Sequence, residues 1–207
     1  MKFYSQYNQD EWLFNNFFKD KSDGVFLEVG ADDGIDKSNT KFFEDRGWNG
    51  MCIEPSPKRF KLLKSNRKCI CENYAVSDEI GTAEFMDIHG WGKGLSGIID
   101  NYDQRHKTRI ESEYRHPKNE GVERVTVKTE LLTNLLDKHN ISKIDFCTID
   151  TEGSELNIIK SIDFSKYNIN IILVENNYND TNVATVLSDS GYSRIARLTI
   201  DDVFIKN

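Results

Sequence analysis

The 207-residue sequence lacks an apolar run of the roughly 20 residues that a membrane-spanning helix needs. It also lacks the basic start and apolar core of a signal peptide, because its first ten residues are mostly polar. We therefore expect a cytoplasmic protein without a membrane span. No internal repeat, linker or low-complexity tract interrupts the chain, so we expect one domain over residues 1–207.

An excess of basic residues is missing as well. The chain has 27 Lys and Arg against 34 Asp and Glu, which gives a net charge of −7 and a pI near 5.2. Because phosphate neutralisation supplies most of the affinity for nucleic acid, this balance argues against a nucleic-acid partner. We interpret the basic stretch 58–68 as a solvated helix face. The stretch 105–118 is either a surface segment or a contact for an anionic or sugar substrate.

The four cysteines lack the paired spacing of a zinc site. Cys69 and Cys71 are separated by one residue, and no second pair accompanies them. Cys52 and Cys147 lie inside apolar runs, where we interpret them as small core residues. The cysteines therefore indicate a reducing compartment rather than a fold that is held together by a structural zinc ion.

Apolar strands alternate with amphipathic helices along most of the chain. Strands are predicted at 25–30, 51–54, 69–76, 144–149 and 170–174, with two closing strands near 192–197 and 200–205. Near-continuous apolar strands separated by helices indicate an α/β fold whose mainly parallel sheet is covered on both faces. The closing strands are joined by a short turn, which favours antiparallel pairing.

One segment, at about residues 89–121, breaks this rhythm. It is glycine-rich at first and then polar, with a possible helix at 100–113 between strands predicted at 82–88 and 122–128. An insertion of this length in a compact domain usually is a functional loop or lid. Within it, Trp91 is either a stacking surface for a sugar ring or an anchor of the loop.

Polar clusters follow the strands, where ligands bind in open α/β sheets. In the cluster Glu28–Gly34, Gly30 and Gly34 permit a positive φ and close backbone approach, although a plain tight turn would also use them. Glu54 ends the next strand and suits the two hydroxyls of a ribose. These two clusters together predict a nucleoside-binding site.

Seven motifs occur in the order of a known family. They are SQYNQD at 5–10, FLEVGADDG at 26–34, SNT at 38–40, GWNG at 47–50, IEP at 53–55, AVSD at 75–78 and IDTEGSE at 149–155. The sequence thereby resembles the FkbM-type methyltransferases, a branch of the class I S-adenosylmethionine-dependent enzymes. The resemblance covers residues 5–164 and is looser at 89–121, where we expect the acceptor to be selected.

The resemblance implies a single Rossmann-like domain with seven strands in the order 3-2-1-4-5-7-6, the last strand antiparallel. It also implies O-methylation of a sugar, glycan or related small molecule, with an N-terminal helical cover at 1–24. The implied contacts to S-adenosylmethionine come from Gln9, Asp10, Glu28, Gly30, Ala31, Asp32, Gly34, Glu54, Pro55, Ser77 and Asp78. For Ser77 and Asp78 a simple turn is the alternative, and for Gln9 and Asp10 a helix cap or a packing hydrogen bond.

A further polar cluster concerns the reaction. Asp150 ends one predicted strand, while Glu175 and Asn176 end its neighbour. Because oxygen ligands suit a hard cation, we hypothesise that these three residues bind Mg²⁺ or another divalent cation that orients the acceptor hydroxyl. In the alternative interpretation, Asp150 and Glu152 contact the cofactor or cap the helix that begins at Glu155.

Methyl transfer to a hydroxyl also requires a base, since hydroxyls are weak acids. The candidates are Asp150, Glu152 and three histidines of the insertion, His89, His106 and His116. A lone histidine in a polar loop is more often a surface residue.

Two other functions compete with methyl transfer. An NAD-dependent oxidoreductase would also use Glu54, but the first turn lacks the GxGxxG spacing that brings a pyrophosphate to a helix N-terminus. A catalytically inactive Rossmann-like binding domain is the second alternative. The sequence leaves the acceptor and the oligomeric state open.

Overall fold

The computed structural model describes residues 1–207 and contains two β-sheets. Its strands are β1 Val25–Val29, β2 Asn49–Ile53, β3 Ile70–Glu72, β4 Ala75–Val76, β5 Gly81–Gly90, β6 Gly97–Ile98, β7 Asn119–Glu130, β8 Lys143–Ile149, β9 Asn168–Glu175, β10 Tyr192–Leu198 and β11 Asp201–Lys206. The larger sheet has the order β3-β2-β1-β8-β9-β11-β10. Only β11 runs antiparallel to its neighbours. Counted within this sheet, the expected order 3-2-1-4-5-7-6 with an antiparallel last strand is confirmed.

Helices cover both faces of the larger sheet. They are α1 Gln9–Leu13, which continues as a π-helical turn over Phe14–Phe18, α2 Lys41–Asp45, α3 Pro57–Asn66, α5 Leu132–Lys138, α6 Glu155–Ser161 and α7 Asn182–Asp189. A further helix, α4 Gln104–Glu113, lies in the insertion. The start of α3 follows from its sequence: Ser56 Oγ accepts the backbone N–H of Arg59 at 3.3 Å, and Pro57 occupies the first turn. No helix is long and apolar enough to cross a membrane.

Alternation along β1 divides the hydrophobic core into two layers. Leu27 and Val29 belong to a cluster of 21 buried residues that also includes side chains of α5, α6 and α7. Phe26 points to the other face, into a cluster of 14 buried residues contributed partly by α1, α2 and α3. Because burying such a side chain stabilises a fold by about 1.5–3 kcal/mol, each layer holds its helices against the sheet.

The smaller sheet was not anticipated. Its order is β4-β7-β5-β6, and it holds the strands that were expected at 82–88 and 122–128. The single strand predicted at 69–76 is wrong, since the chain leaves the larger sheet after β3. There Asn73 Nδ2 donates to the backbone carbonyls of Glu54 at 2.8 Å and Pro55 at 3.0 Å. This turn directs β4 to pair with β7 instead.

The insertion is also shorter and more regular than the expected irregular segment 89–121. β5 and β7 pair from Gly81 with Thr129 to Gly90 with Asn119, so that only residues 91–118 lie outside the hairpin. These residues form two 3₁₀ turns, the short β6 and α4. Asp103 begins α4 by accepting the backbone N–H of His106 at 2.9 Å. The expected helix at 100–113 is thus present from Gln104.

Candidate functional site

A cavity of about 730 Å³ opens along the carboxyl ends of β1, β2, β8 and β9. This volume lies in the range of sites for small molecules and cofactors. The turn after β1, the end of β2 and the turn after β8 line it, together with the N-terminal segment, residues 90–98 and part of α4. The cavity therefore lies between the larger sheet and the insertion.

Two glycines of the first turn are required by packing and by backbone conformation. Gly30 has a φ of +89°, and a Cβ at this position would lie 1.8 Å from the carbonyl oxygen of Asp150. Gly34 has a φ of +79°, and its Cβ would lie 2.6 Å from Leu63 Cδ1. Gly30 lines the cavity with Ala31 and Asp32, whereas Gly34 does not.

Glu28 lines the cavity, but its carboxylate is held by internal donors. It accepts hydrogen bonds from Ser38 Oγ at 2.9 Å, from the Asn39 backbone N–H at 2.9 Å and from Thr40 Oγ1 at 2.6 Å. Arg67 forms an ion pair with it at 3.2 Å. Glu28 thus fixes the SNT motif and the turn around it.

Glu54 lies buried at the end of β2 and receives two backbone hydrogen bonds. Asp32 N–H donates to Oε2 at 2.9 Å, and Ser56 N–H donates to Oε1 at 2.8 Å. Burial raises the pKa of Glu54 to about 8, although the charge of Arg59 opposes the shift. Since each carboxylate oxygen can accept more than one hydrogen bond, both keep room for a ligand hydroxyl.

An apolar wall of the cavity comes from the smaller sheet and from the residue before β4. It consists of Tyr74, Ala75, Val76, Phe85 and Ile98. Only Ala75 and Val76 lie in a motif singled out from the sequence, so most of this wall was missed. Ser77 and Asp78 follow it but do not line the cavity.

The side chains of Ser77 and Asp78 instead form a turn. Ser77 Oγ lies 3.2 Å from Asp78 Oδ1 and accepts the Glu79 N–H at 3.4 Å. The structure therefore favours the simple turn at these two positions.

Three carboxylates converge at the ends of β8 and β9. One ligand oxygen from each of Asp150, Glu152 and Glu175 lies within 4.8 Å of the others. Glu152 is only 7% exposed, has a φ of +56°, and its Oε2 has no hydrogen-bond partner. The exposed surface of Asp150 faces the cavity.

The surroundings disfavour ionisation of this cluster. Burial, followed by the charges of neighbouring carboxylates, raises the pKa of Glu152 and Glu175 well above the usual range. Asp150 keeps contact with the open space of the cavity but is surrounded by protein atoms, and this burial, followed by the charges of Asp201 and Glu155, raises its pKa to about 7. The cluster can therefore hold and exchange protons at neutral pH.

Asn176 is not part of the cluster. Its Oδ1 accepts the backbone N–H of Asp180 at 2.8 Å, and its Nδ2 donates to Asp202 Oδ2 at 2.7 Å. Both polar atoms of the Asn176 side chain are therefore hydrogen-bonded within the protein. Glu152, instead of Asn176, completes the cluster with Asp150 and Glu175. The turn after β8 is held by Glu155, which accepts the Thr151 N–H at 2.8 Å.

The N-terminal segment brings Gln9 to the cavity. Gln9 Nε2 donates to Asp201, a cavity residue that sequence reasoning missed because it begins the antiparallel strand β11. Asp10 does not line the cavity. It accepts the Tyr4 N–H at 2.6 Å and the Ser5 hydroxyl at 2.5 Å, which is the packing role named as its alternative.

Of the candidate histidines, only His106 reaches the carboxylates. Its Nδ1 lies 3.4 Å from Glu152 Oε2, and its Nε2 lies 3.2 Å from the carbonyl oxygen of Leu95. Burial lowers the pKa of His106. It lies behind Glu152 and does not line the main cavity.

His89 and His116 lie away from the cluster of Asp150, Glu152 and Glu175. His89 lies 3.9 Å from Asp87 and 3.5 Å from Glu123 without lining the cavity. His116 stacks on Trp91, with 4.4 Å between the ring centroids. Their positions leave Asp150 and Glu152 as the candidate bases that line the cavity.

Two basic side chains, one from the insertion and one from α3, line the cavity and pair with carboxylates. Lys93 Nζ lies 2.8 Å from Asp32 and 3.0 Å from Asp36, which joins the insertion to the first turn. Arg59 of α3 lies 3.0 Å from Asp87 and 3.5 Å from Asp32. Lys93 did not stand out in the sequence. The interpretation of the stretch 58–68 as a solvated helix face is wrong for Arg59, which is buried against these two aspartates, and for Arg67, which is buried as well.

A known structure shares this fold at very low sequence identity. The crystal structure of a TehB-like S-adenosylmethionine-dependent methyltransferase from Corynebacterium glutamicum is similar with a TM-score of 0.50 and 7% identity. The match covers 98% of this chain and 89% of that one. A second S-adenosylmethionine-dependent methyltransferase, from Methanosarcina mazei, matches with a TM-score of 0.42 and 10% identity over 93% of this chain and 94% of that one.

The sequence itself matches a family model. No curated protein matches the chain. The model of the methyltransferase FkbM domain, in contrast, matches residues 28–204, which include the first turn, Glu54 and the carboxylate cluster. Because this match covers most of the chain, the protein belongs to the FkbM family of S-adenosylmethionine-dependent methyltransferases.

Proposed function

We propose that the protein is an O-methyltransferase that acts on a hydroxyl of a sugar, glycan or related small molecule. The observation that carries this proposal is the carboxylate cluster of Asp150, Glu152 and Glu175 inside the same cavity as Glu54. Carboxylates with raised pKa values suit the removal of a hydroxyl proton near neutral pH. An amine acceptor would need no such group once it is unprotonated.

The cofactor half of the cavity fits S-adenosylmethionine. In the proposed arrangement, the two oxygens of Glu54 accept hydrogen bonds from the ribose hydroxyls, and the wall around Phe85 and Val76 packs against adenine. Gln9 and Asp201 lie at the other side of the first turn, where the methionine portion would bind. Bound S-adenosylmethionine supplies the methyl group from its sulfonium to the acceptor oxygen.

Asp150 is the proposed general base. It lines the cavity, and because its pKa is about 7, the ionised form that accepts a proton is populated at neutral pH. Base efficiency is greatest when the pKa lies near the working pH. Burial and the charges of Asp201 and Glu155 keep the pKa of Asp150 raised, while the cavity walls align the acceptor for in-line displacement.

A divalent cation is a second way to activate the hydroxyl. The three convergent carboxylates and the unpartnered Oε2 of Glu152 favour it, since hard cations prefer oxygen ligands and lower the pKa of a bound hydroxyl. Asp150, Glu152 and Glu175 would hold the ion. Calorimetric titration with Mg²⁺ in the presence of S-adenosylhomocysteine should release heat that Glu175→Gln abolishes. Absence of binding, together with full activity in EDTA, would exclude this mode.

The proposed function is tested with methyl-labelled S-adenosylmethionine and a panel of hydroxyl-bearing acceptors. We expect micromolar cofactor binding by calorimetry, no binding of NAD, and products whose labelled carbon has the NMR shift of a methyl ether. A labelled methyl on nitrogen or carbon would contradict O-methylation. Cofactor binding without turnover on any acceptor would support the inactive binding domain.

A further inference from the structure

Trp91 is an exposed aromatic residue that the protein nevertheless holds in place. One face of its indole stacks on the ring of His116 at 4.4 Å with an interplanar angle of 18°. Its Nε1 donates to Glu113 Oε2 at 3.0 Å. The side chain is still 55% exposed and lines the cavity. The indole therefore stands at the cavity rim with its second face open.

This arrangement differs from that of an ordinary surface aromatic residue. Tyr114 follows α4 and is 54% exposed, but it does not line the cavity. Trp91 is held by a ring on one face and by a carboxylate at its edge. A ligand that stacks on it therefore loses little binding free energy to the ordering of the side chain. A rigid aromatic surface at a cavity rim suits a ligand with a flat apolar face.

The charges of the cavity restrict what that ligand is. Nine carboxylates line the cavity, against four Lys or Arg side chains. A protonated carboxyl group still accepts hydrogen bonds from hydroxyls, and an ionised one in addition repels anions. A ligand with many hydroxyl donors and no negative charge is therefore favoured. A flat aromatic acceptor would stack as well, but it offers few donors to these oxygens.

We propose that Trp91 is the stacking platform for one ring of an uncharged saccharide acceptor, a proposal that rests on the proposed function. The apolar C–H face of a pyranose packs on the open face of the indole, while its hydroxyls donate to carboxylates such as Glu113. Two side chains connect Trp91 to the carboxylate cluster: Trp91 Nε1 donates to Glu113, and Arg109 lies 3.7 Å from Glu113 and 3.9 Å from Glu152 Oε2. Because these side chains separate the indole from the cluster, the stacked ring is a neighbour of the methylated one. The acceptor therefore has at least two sugar rings.

The test uses an array of neutral mono-, di- and tetrasaccharides, sulfated and sialylated glycans, and catechol. The whole protein is applied with S-adenosylhomocysteine. We expect retention on at least one neutral oligosaccharide and weaker binding of the matching monosaccharide. Trp91→Ala should weaken the oligosaccharide about tenfold, which corresponds to about 1.4 kcal/mol. Trp91→Phe should retain part of the affinity, and Tyr114→Ala should leave it unchanged.

A second measurement does not depend on a stable alanine variant. Trp48 is buried and Trp12 is half-buried, so iodide should quench mainly Trp91. The bound oligosaccharide should protect this emission in the wild type but not in Trp91→Phe. The proposal is overturned by preference for an anionic glycan or catechol, by no retention of any neutral saccharide, or by unchanged binding in Trp91→Ala. Failure of cofactor binding would instead overturn the proposed function.

Discussion

The guanidinium of Arg67 lies 3.2 Å from the carboxylate of Glu28, and both side chains are buried. Arg67 also contacts Glu44 at 2.9 Å and donates to Thr40 Oγ1 at 2.8 Å. One arginine after α3 thereby compensates the charge of Glu28 and joins three segments of the first half of the chain. Removing it would leave Glu28 as an uncompensated buried charge.

We expect Arg67→Met to destabilise the fold by about 3–5 kcal/mol, because a broken buried ion pair leaves its partner without compensation. Denaturant unfolding measures this loss. Lys64→Met is the matched control, since Lys64 lies exposed on α3 and should shift stability little. Adding Glu28→Gln to Arg67→Met should recover part of the loss. No recovery would show that the two residues act independently.

Gly30→Ala and Gly47→Ala separate backbone strain from steric clash. Both glycines have a left-handed φ, of +89° and +95°, but only Gly30 has a neighbour within reach of a new Cβ. Gly47→Ala should cost about 1–2 kcal/mol. Gly30→Ala should cost more than 3 kcal/mol or prevent folding, because Asp150 would have to move. Equal melting temperatures would contradict the close approach of β1 and β8.

Stability should fall as the pH rises from about 4 to 8. Unfolded Asp and Glu titrate near pH 4, whereas the folded protein raises the pKa of Asp150 to about 7 and of Glu54 to about 8. Within this window the folded state binds more protons, so deprotonation favours the unfolded state. Melting curves without cofactor should show a midpoint at pH 6 several degrees above that at pH 8.5.

A substitution within the cluster should reduce this pH dependence. Burial raises the pKa of Glu175 well above the usual range, so Glu175→Gln removes a group whose ionisation opposes folding and should raise the melting temperature at pH 8.5 more than at pH 6. The exposed Glu111 provides the control, since Glu111→Gln removes a charge outside the cavity. A wild-type protein that gains stability between pH 6 and 8.5 would contradict the raised pKa values.

The affinity for S-adenosylmethionine should rise with pH, whereas the stability of the protein without cofactor should fall. The ribose hydroxyls donate best to an ionised Glu54, whose pKa is raised to about 8 by burial. We therefore expect S-adenosylmethionine to bind more tightly at pH 8.5 than at pH 6.5. Glu54→Gln should weaken binding at least tenfold, since hydrogen bonds to charged groups are worth about 1.5–3 kcal/mol each. The exposed Glu79→Gln should not change the calorimetric Kd.

Asp150→Asn should lower kcat more than about 100-fold while the Kd for S-adenosylmethionine stays within a factor of three. The amide keeps the shape of the side chain but cannot accept the hydroxyl proton. His89→Ala is the control, because His89 does not line the cavity. Full activity of the asparagine variant would transfer the role of base to Glu152, which the corresponding Glu152→Gln variant then tests.

The larger sheet could be predicted because its strands are buried on both faces. Segments such as 144–149 and 170–174 are almost continuously apolar, and they correspond to β8 and β9 with boundaries shifted by one or two residues. The smaller sheet lacks this signal. β7 is largely exposed, and its pairing with β5 depends on contacts across about 40 residues that periodicity does not reveal.

The site could be predicted only in part for a similar reason. Residues at strand ends, such as Glu54 and Asp150, follow from the sheet order. Asp10 and Asn176 carry equally suitable groups, yet backbone N–H donors of nearby residues bind their oxygens. Whether a polar side chain faces a cavity or a backbone donor depends on loop geometry. That geometry is not encoded in the spacing of residue types.

The pairing of Gly90 with Asn119 has a consequence for protein engineering. The two ends of segment 91–118 meet at this pair, so the segment is a closed unit inserted at the tip of one hairpin. A replacement segment of another length would leave the strands of the larger sheet connected as before. The free energy of closing a loop also depends only weakly on its length. Exchange of this unit between family members should therefore transplant acceptor preference, as long as the new segment keeps the ion pair of Lys93 with Asp32 and the pairing of Ile98 with Phe85 in the methyl-donor half.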